Sequence, residues 1–233
     1  MRHIPRFFLN HQIENGKSLE ISEQQMRHSV KVLRQNVGDE VRVFNENFGE
    51  WSCKISDIKR KIVIPIKLIE SPRQENGPSI ACALINPNKF AIMMEKITEL
   101  GVSEIFPIIT EYTQFKTFNF DKIEQIIIQA CEQSRRLSVP KLHESKKLSE
   151  FLSNQDSEMQ ILVGSEQAEY PQLKNIIQKN CVFMIGPEGG FSKFEENSLK
   201  KYSNISLFHY GSNILRSETA AAAFIASWQL MYS

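Results

Sequence analysis

The chain has 233 residues, of which 41% are hydrophobic and 24% charged, with 28 Lys+Arg against 27 Asp+Glu and a formal net charge of +1. That is enough apolar material for a sizeable core in one large domain or two smaller ones. The longest apolar runs, such as Ile62 to Ile69, are too short to span a bilayer, so a transmembrane helix and membrane association are not expected. Met1 to Arg6 lacks the apolar core and small-residue cleavage site of a secretory signal, which makes the cytoplasm the expected location. Cys53, Cys82, Cys131 and Cys181 stand singly among apolar residues, without CxxC or Cys/His ligand spacing. Buried free thiols in a reducing compartment, and no metal site, are expected.

Residues 1–70 read mainly as strands and turns. They carry 12 Lys+Arg and 9 Asp+Glu, against 16 and 18 in the remainder, so a modest positive excess lies at the N-terminal end. Val41 to Phe44 alternates as a strand, Asn45 to Glu50 forms a hairpin turn, and Trp51 to Ile55 returns. Lys61 to Ile69 is rich in β-branched residues. One helix interrupts this pattern: Ser22 with Gln25 makes a capping box, and the helix is predicted to reach about Gln35. Arg27, Lys31 and Arg34 then fall at i, i+4 and i+7 on one face, either as a solvated stripe or as a phosphate contact. The stretch Ser71 to Pro78, with two prolines and a glycine, marks a domain boundary, placed at 72/73.

From Ser79 strands alternate with helices. Ser79 to Ile85 is a strand, Asn86 and Pro87 open a helix carrying Phe90, Met93, Met94, Ile97 and Leu100, and Gly101 stops it. Ile105 to Ile109 is a strand, and Asp121 to Arg136 a helix with Ile123, Ile126, Ile127 and Ala130 inward. Strands follow at Ile161 to Val163, Val182 to Ile185 and Ile205 to Phe208. Helices are predicted at Pro171 to Lys179, after the Ser192/Glu195 capping box, and from Ser217 to near the end. Such alternation points to an α/β domain with a mostly parallel sheet covered on both faces.

Two loops at carboxyl ends of strands stand out, since open α/β sheets bind ligands there. In Gly186-Pro187-Glu188-Gly189-Gly190, glycines around a proline let the backbone approach a flat ligand, or simply make a tight connection. In Leu215-Arg216-Ser217-Glu218-Thr219-Ala220, Ser217 or Thr219 can cap the last helix and Glu218 can offset its dipole, but Arg216 is disfavoured beside a helix N-terminus unless it has an anionic target. The chain contains no GxxxxGK[ST], GxGxxG or GxSxG, which disfavours P-loop nucleotidases, the usual dinucleotide enzymes and serine hydrolases.

These two loops, in this order, resemble the signature loops of the RsmE-type 16S ribosomal RNA uridine-N3-methyltransferases of the SPOUT superfamily. Lys96 to Val102 (KITELGV) resembles the family's KATELGV segment with Ile97 in place of alanine, and Glu132 to Arg136 resembles its EQSxR segment. Arg6 to Phe8, His28 with Val32 to Arg34, and Gly38 to Glu40 resemble its PUA-like domain, so the similarity covers nearly the whole chain. The resemblance implies a PUA-like β-barrel RNA-binding domain over 1–72 and a SPOUT domain with a C-terminal trefoil knot over 73–233. It implies a homodimer that uses S-adenosyl-L-methionine to methylate a uridine of 16S rRNA, free or in the small ribosomal subunit. The residues expected around the cofactor are Gly164, Gly186, Pro187, Glu188, Gly189, Gly190, Gly211, Ile214, Leu215, Ser217 and Thr219. Those expected at RNA are Arg2, Arg6, Arg27, Lys31, Arg34, Arg135 and Arg136. Methyl transfer is largely a positioning task, while uracil N3 must first lose a proton. Arg216 is expected to stabilise the resulting anion, with Glu188 and Glu218 as candidate proton acceptors. The rival readings are another SPOUT enzyme, acting at a 2′-O of tRNA or rRNA, and a non-catalytic ribosome-assembly factor.

Overall fold

The computed structural model describes residues 4–73, 75–166 and 170–232. The chain divides into two compact units: the residues up to 75 together with 128–139, and 76–127 together with 140–233. The Pro- and Gly-containing stretch carries one break; the return of 128–139 to the first unit is something no single cut along the sequence can express.

In the first unit, β1 (Arg6–Phe8), β2 (Leu19–Glu20), β3 (Glu40–Asn45), β4 (Gly49–Asp57) and β5 (Ile62–Glu70) form a sheet in the order β1-β3-β4-β5-β2. Only β1 and β3 run parallel. Phe7 at one edge and Leu19 at the other share one core with Met26, Val41, Val43, Cys53, Ile55 and Val63, so the sheet curls around a single interior. The Ser22/Gln25 capping box forms as expected, but helix α1 covers only Glu23–Arg27 and passes into a π-helical turn over His28–Val32. There Leu33 N–H reaches back five residues to His28 O, and Arg34 ends the run at φ 55°. The expected helix to Gln35, and with it the regular one-face stripe of Arg27, Lys31 and Arg34, is therefore replaced by a wider turn, although all three residues remain exposed.

The second unit is a seven-stranded, all-parallel sheet. Its strands are β6 (Ser79–Ala83), β7 (Glu104–Ile109), β8 (Lys141–Leu142), β9 (Lys146–Lys147), β10 (Gln160–Gly164), β11 (Cys181–Ile185) and β12 (Ile205–Phe208), in the order β12-β10-β11-β6-β7-β8, with β9 also on β7. Every residue of β11 is buried, as a central parallel strand requires. Helix α2 (Pro87–Glu99) starts at Asn86, whose side chain accepts from Asn88 N–H, and buries Phe90, Met93, Met94 and Ile97. Helix α3 is Phe120–Ser134, α4 Leu148–Ser153 and α5 Lys193–Leu199. Helix α6 (Ser217–Tyr232) packs on α2 and β11 through Ala221, Phe224, Ile225 and Trp228. The helix expected over Pro171 to Lys179 shrinks to a 3-10 turn, Leu173–Asn175. Its backbone is drawn elsewhere: Pro171 O accepts from His209 N–H, Ile177 O from the Tyr232 hydroxyl and Lys179 O from the Trp228 indole. Among the described residues, no helix is long and apolar enough to cross a membrane.

Arg6 organises the first unit. Its side chain is 8% exposed; Nε donates to Glu50 Oε2 at 2.7 Å, one terminal nitrogen donates to Cys131 O and Glu132 O at 3.0 Å each, and the other to Arg136 O at 3.2 Å. Cys131 and Glu132 lie in the last turn of α3, whose carbonyls lack intrahelical donors and attract a cation. Phe8 N–H also donates to Glu132 Oε1, and Glu75 binds both Arg136 and Leu137 N–H. Breaking a buried ion pair on one side typically costs about 3–5 kcal/mol. Urea unfolding of Arg6→Ala is expected to show a loss of that order, and Arg6→Lys, lacking the planar fork, to recover little of it.

Glu75 gives a pH prediction. Burial pushes its carboxyl upward, but the Leu137 N–H, the Arg136 charge and side-chain bonds from Arg73 and Arg136 outweigh that and hold it below the usual carboxylate range. A depressed native value stabilises above the ordinary carboxylate pKa and fades as pH falls through the depressed one. The urea midpoint of Glu75→Gln is expected to decline less steeply on acidification than that of the unmodified chain.

Candidate active site

The carboxyl ends of three adjacent strands, β12, β10 and β11, open onto one cavity of about 310 Å³. Its walls are Gly164 to Glu166 after β10, the glycine loop after β11, and Tyr210 to Leu215 after β12, with Ser217, Ala220 and Phe224 of α6 behind. The two signature loops meet there: the buried Ser217 hydroxyl donates to Gly186 O at 3.0 Å. Glycines shape the site locally. Gly190 turns the loop at φ 70°, its N–H donating to Pro187 O, and a Cβ on Gly164 would sit 3.1 Å from the Phe224 ring. The loop then enters α5 through the Ser192/Glu195 capping box, and Glu195 also accepts from Glu111 N–H at 2.8 Å.

Nine of the residues picked out by sequence line the cavity: Gly164, Gly186, Pro187, Gly189, Gly190, Gly211, Ile214, Leu215 and Ser217. Glu188, Arg216, Glu218 and Thr219 do not. Glu188 turns outward, 46% exposed, to pair with Lys89 at 3.1 Å. Arg216 is exposed at the start of α6, while Glu218 keeps a buried Oε2 with no hydrogen-bond partner among the described residues. Glu166, Phe191, Glu196, Tyr210 and Asn213 were not anticipated. The signal for Glu166 and Tyr210 was available, since both follow strands whose ends abut the cavity; Glu196 depends on the angle of α5, which sequence does not give. Among its described lining residues there are two carboxylates, Glu166 and Glu196, and no Lys, Arg or His, so the cavity suits a cationic ligand.

The basic residues expected at RNA divide. Arg27, Lys31, Arg34 and Arg135 are exposed. Arg136 is buried and paired with Glu75, and the Arg6 side chain, 8% exposed, is committed to Glu50 and to backbone carbonyls, so both belong to the scaffold instead of a phosphate-binding face. Arg2 lies outside the described residues. Burial pushes all four cysteine thiols up to about 12, which keeps them protonated and unreactive.

An RNA methyltransferase domain model matches residues 74–229, and an RNA methyltransferase PUA domain model matches residues 21–65. The ribosomal RNA small subunit methyltransferase E of Rickettsia conorii is 31% identical, covering 98% of this chain and 96% of its own. The chain belongs to the ribosomal RNA small subunit methyltransferase E family. Its relative of that name from Buchnera aphidicola is 28% identical over 99% of this chain and 98% of its own. The family member from Neisseria gonorrhoeae, whose crystal structure has S-adenosyl methionine bound, superposes with TM-score 0.88 at 26% identity, covering 99% of this chain and 98% of that one. A protein from Legionella pneumophila, solved in complex with bound SAM, also gives TM-score 0.88, at 28% identity and 98% coverage of both chains.

Removing the Ser217 hydroxyl leaves Gly186 O buried without this donor. Ser217→Ala is expected to lower stability in urea by roughly 1–3 kcal/mol, the cost of an unsatisfied buried acceptor. A variant as stable as the unmodified chain would show that the two loops hold together without this bond.

Proposed function

We propose that this chain is an S-adenosyl-L-methionine-dependent methyltransferase that modifies N3 of a uridine in small-subunit ribosomal RNA, acting as a homodimer. The observation that carries this reading is the convergence of the glycine loop and the turn entering α6 on one cavity, at the ends of three parallel strands, with an acidic lining. Backbone groups of Gly186 to Gly190 and of Gly211 to Leu215 are the natural holders of the adenine, and Glu166 and Glu196 of the positive end. When bound, the cofactor supplies a methyl group on a sulfonium, ready for transfer to a nucleophile.

The chain's own task is the uracil. A pairing partner blocks N3, so the target base is unpaired or flipped out. Loss of the N3 proton places negative charge on the flanking carbonyl oxygens, and Arg216, exposed beside the cavity, is the donor for that charge. Glu218, whose Oε2 has no hydrogen-bond partner among the described residues, is a better proton acceptor than Glu188, which Lys89 occupies. Dimerisation is supported by Leu230 (90% exposed) and Met231 on α6 and Ile92 on α2, which packs against it. The C-terminal knot belongs to the same proposal: the chain crosses from β11 past β10 to β12, then returns along α6 to β11.

Arg216→Ala is expected to lower turnover by roughly 10²–10³ while S-adenosyl-L-methionine binding, read by calorimetry, persists. In cells, deleting the gene is expected to remove 3-methyluridine from 16S rRNA, with restoration by the intact copy and not by Arg216→Ala. Unaltered 3-methyluridine after deletion would remove the assignment.

A further inference from the structure

A second cavity, of about 590 Å³, has all its described lining residues in the first unit, and the proposed methyl transfer makes no use of it. Its volume falls within the range of small-molecule sites, about 300–1,000 Å³. Arg6 and Glu50, locked together and each under 10% exposed, are part of its wall. Arg42 is another part: it donates to Glu50 Oε1 at 2.9 Å, and its buried Nε, without a hydrogen bond among the described residues, lies 3.6 Å from Glu40 Oε1, so two carboxylates flank the guanidinium. Glu132 also faces the cavity. Its Oε1 accepts from Phe8 N–H and from Gln25, while its other oxygen makes no hydrogen bond among the described residues. Exposed Ile69 adds an apolar surface, and His28 and Arg135 are exposed members of the lining.

A bare phosphate does not fit this set, because the Arg6 donors are already committed and carboxylates face inward. A flat ligand does fit, with a plane to stack on Arg42, a hydrogen-bond donor for Glu132 and an anionic tail for His28 and Arg135. Unpaired RNA bases are bound in this manner, by stacking on guanidinium planes and by bonds to their edges. We propose that this cavity receives one unpaired nucleobase of the RNA substrate, distinct from the methylated uridine, and that Glu132 selects a base with an exocyclic amino group over uracil. The amino group of cytosine, adenine or guanine donates to the open oxygen of Glu132. Uracil places two carbonyl oxygens around its single N–H, and a carboxylate repels them. Burial holds the Glu132 carboxyl above the usual carboxylate range, against the opposing pull of Phe8 N–H, Gln25 and Arg6; a donor from the base satisfies that group.

The inference rests on the reading of the chain as an RNA enzyme, but its test measures binding alone, so either can fail while the other stands. Fluorescence anisotropy of the full chain with labelled cytidine and uridine pentamers, without cofactor, is expected to show about tenfold or greater preference for cytidine, the scale of one hydrogen bond to a charged group. Glu132→Gln retains a carbonyl oxygen for Phe8 N–H while turning an amide donor to the cavity, and is expected to erase or reverse the preference. Arg135→Asn, which suits the left-handed backbone at φ 63°, is expected to weaken both pentamers several-fold without altering their ratio. Equal binding of the two pentamers, a preference that survives Glu132→Gln, unchanged affinity in Arg135→Asn, or binding of free cytidine monophosphate without the pentamer would each overturn the proposal.

Discussion

The hydrogen bond from Ser217 to Gly186 O joins two loops that lie 31 residues apart. It is possible because of strand order: β10 lies between β11 and β12, so the loops leaving β11 and β12 flank the end of β10 and face one another. Helix α6, fixed on α2 and β11 by Phe224, Ile225 and Trp228, brings Ser217 to the right height. The cavity is thus a product of sheet topology and one helix seat.

Charge is sorted across that site. The inward face carries Glu166 and Glu196 without a basic side chain among the described lining residues, while Arg216 is held outside on the same turn that contributes Leu215 and Ser217. Opposite charges therefore stand a few residues apart, carboxylates facing the cavity and a guanidinium outside it. Placing Arg216 at the head of α6 runs against the helix dipole, a local cost to the helix.

Much of the fold was legible in sequence because its signals are local. The Asn86-Pro87 start, the Gly101 stop, both capping boxes and the β-branched runs each determine an element from within a few residues. What was not legible depended on distant partners. The segment 171–179 has helical spacing, yet its carbonyls are taken by His209, Trp228 and Tyr232. Arg6 and Arg136 look like surface cations until the fold brings α3's last turn and Glu75 to them. The glycine-rich loops announced the cavity, but its acidic lining required knowing where α5 and the end of β10 stand.

The discontinuity of the first unit has a consequence for biogenesis. Residues 128–139 supply the acceptors for Arg6 and the apolar partners Cys131 and Leu137 for Phe44. As the polypeptide emerges from the ribosome, the core of its N-terminal sheet is complete by Val63, but Arg6 and Phe44 meet these partners only after β6, α2 and β7 are already out. The last contacts of the leading sheet, those of Arg6 with the end of α3, are thus written into a stretch of chain made after the first strands of the trailing sheet.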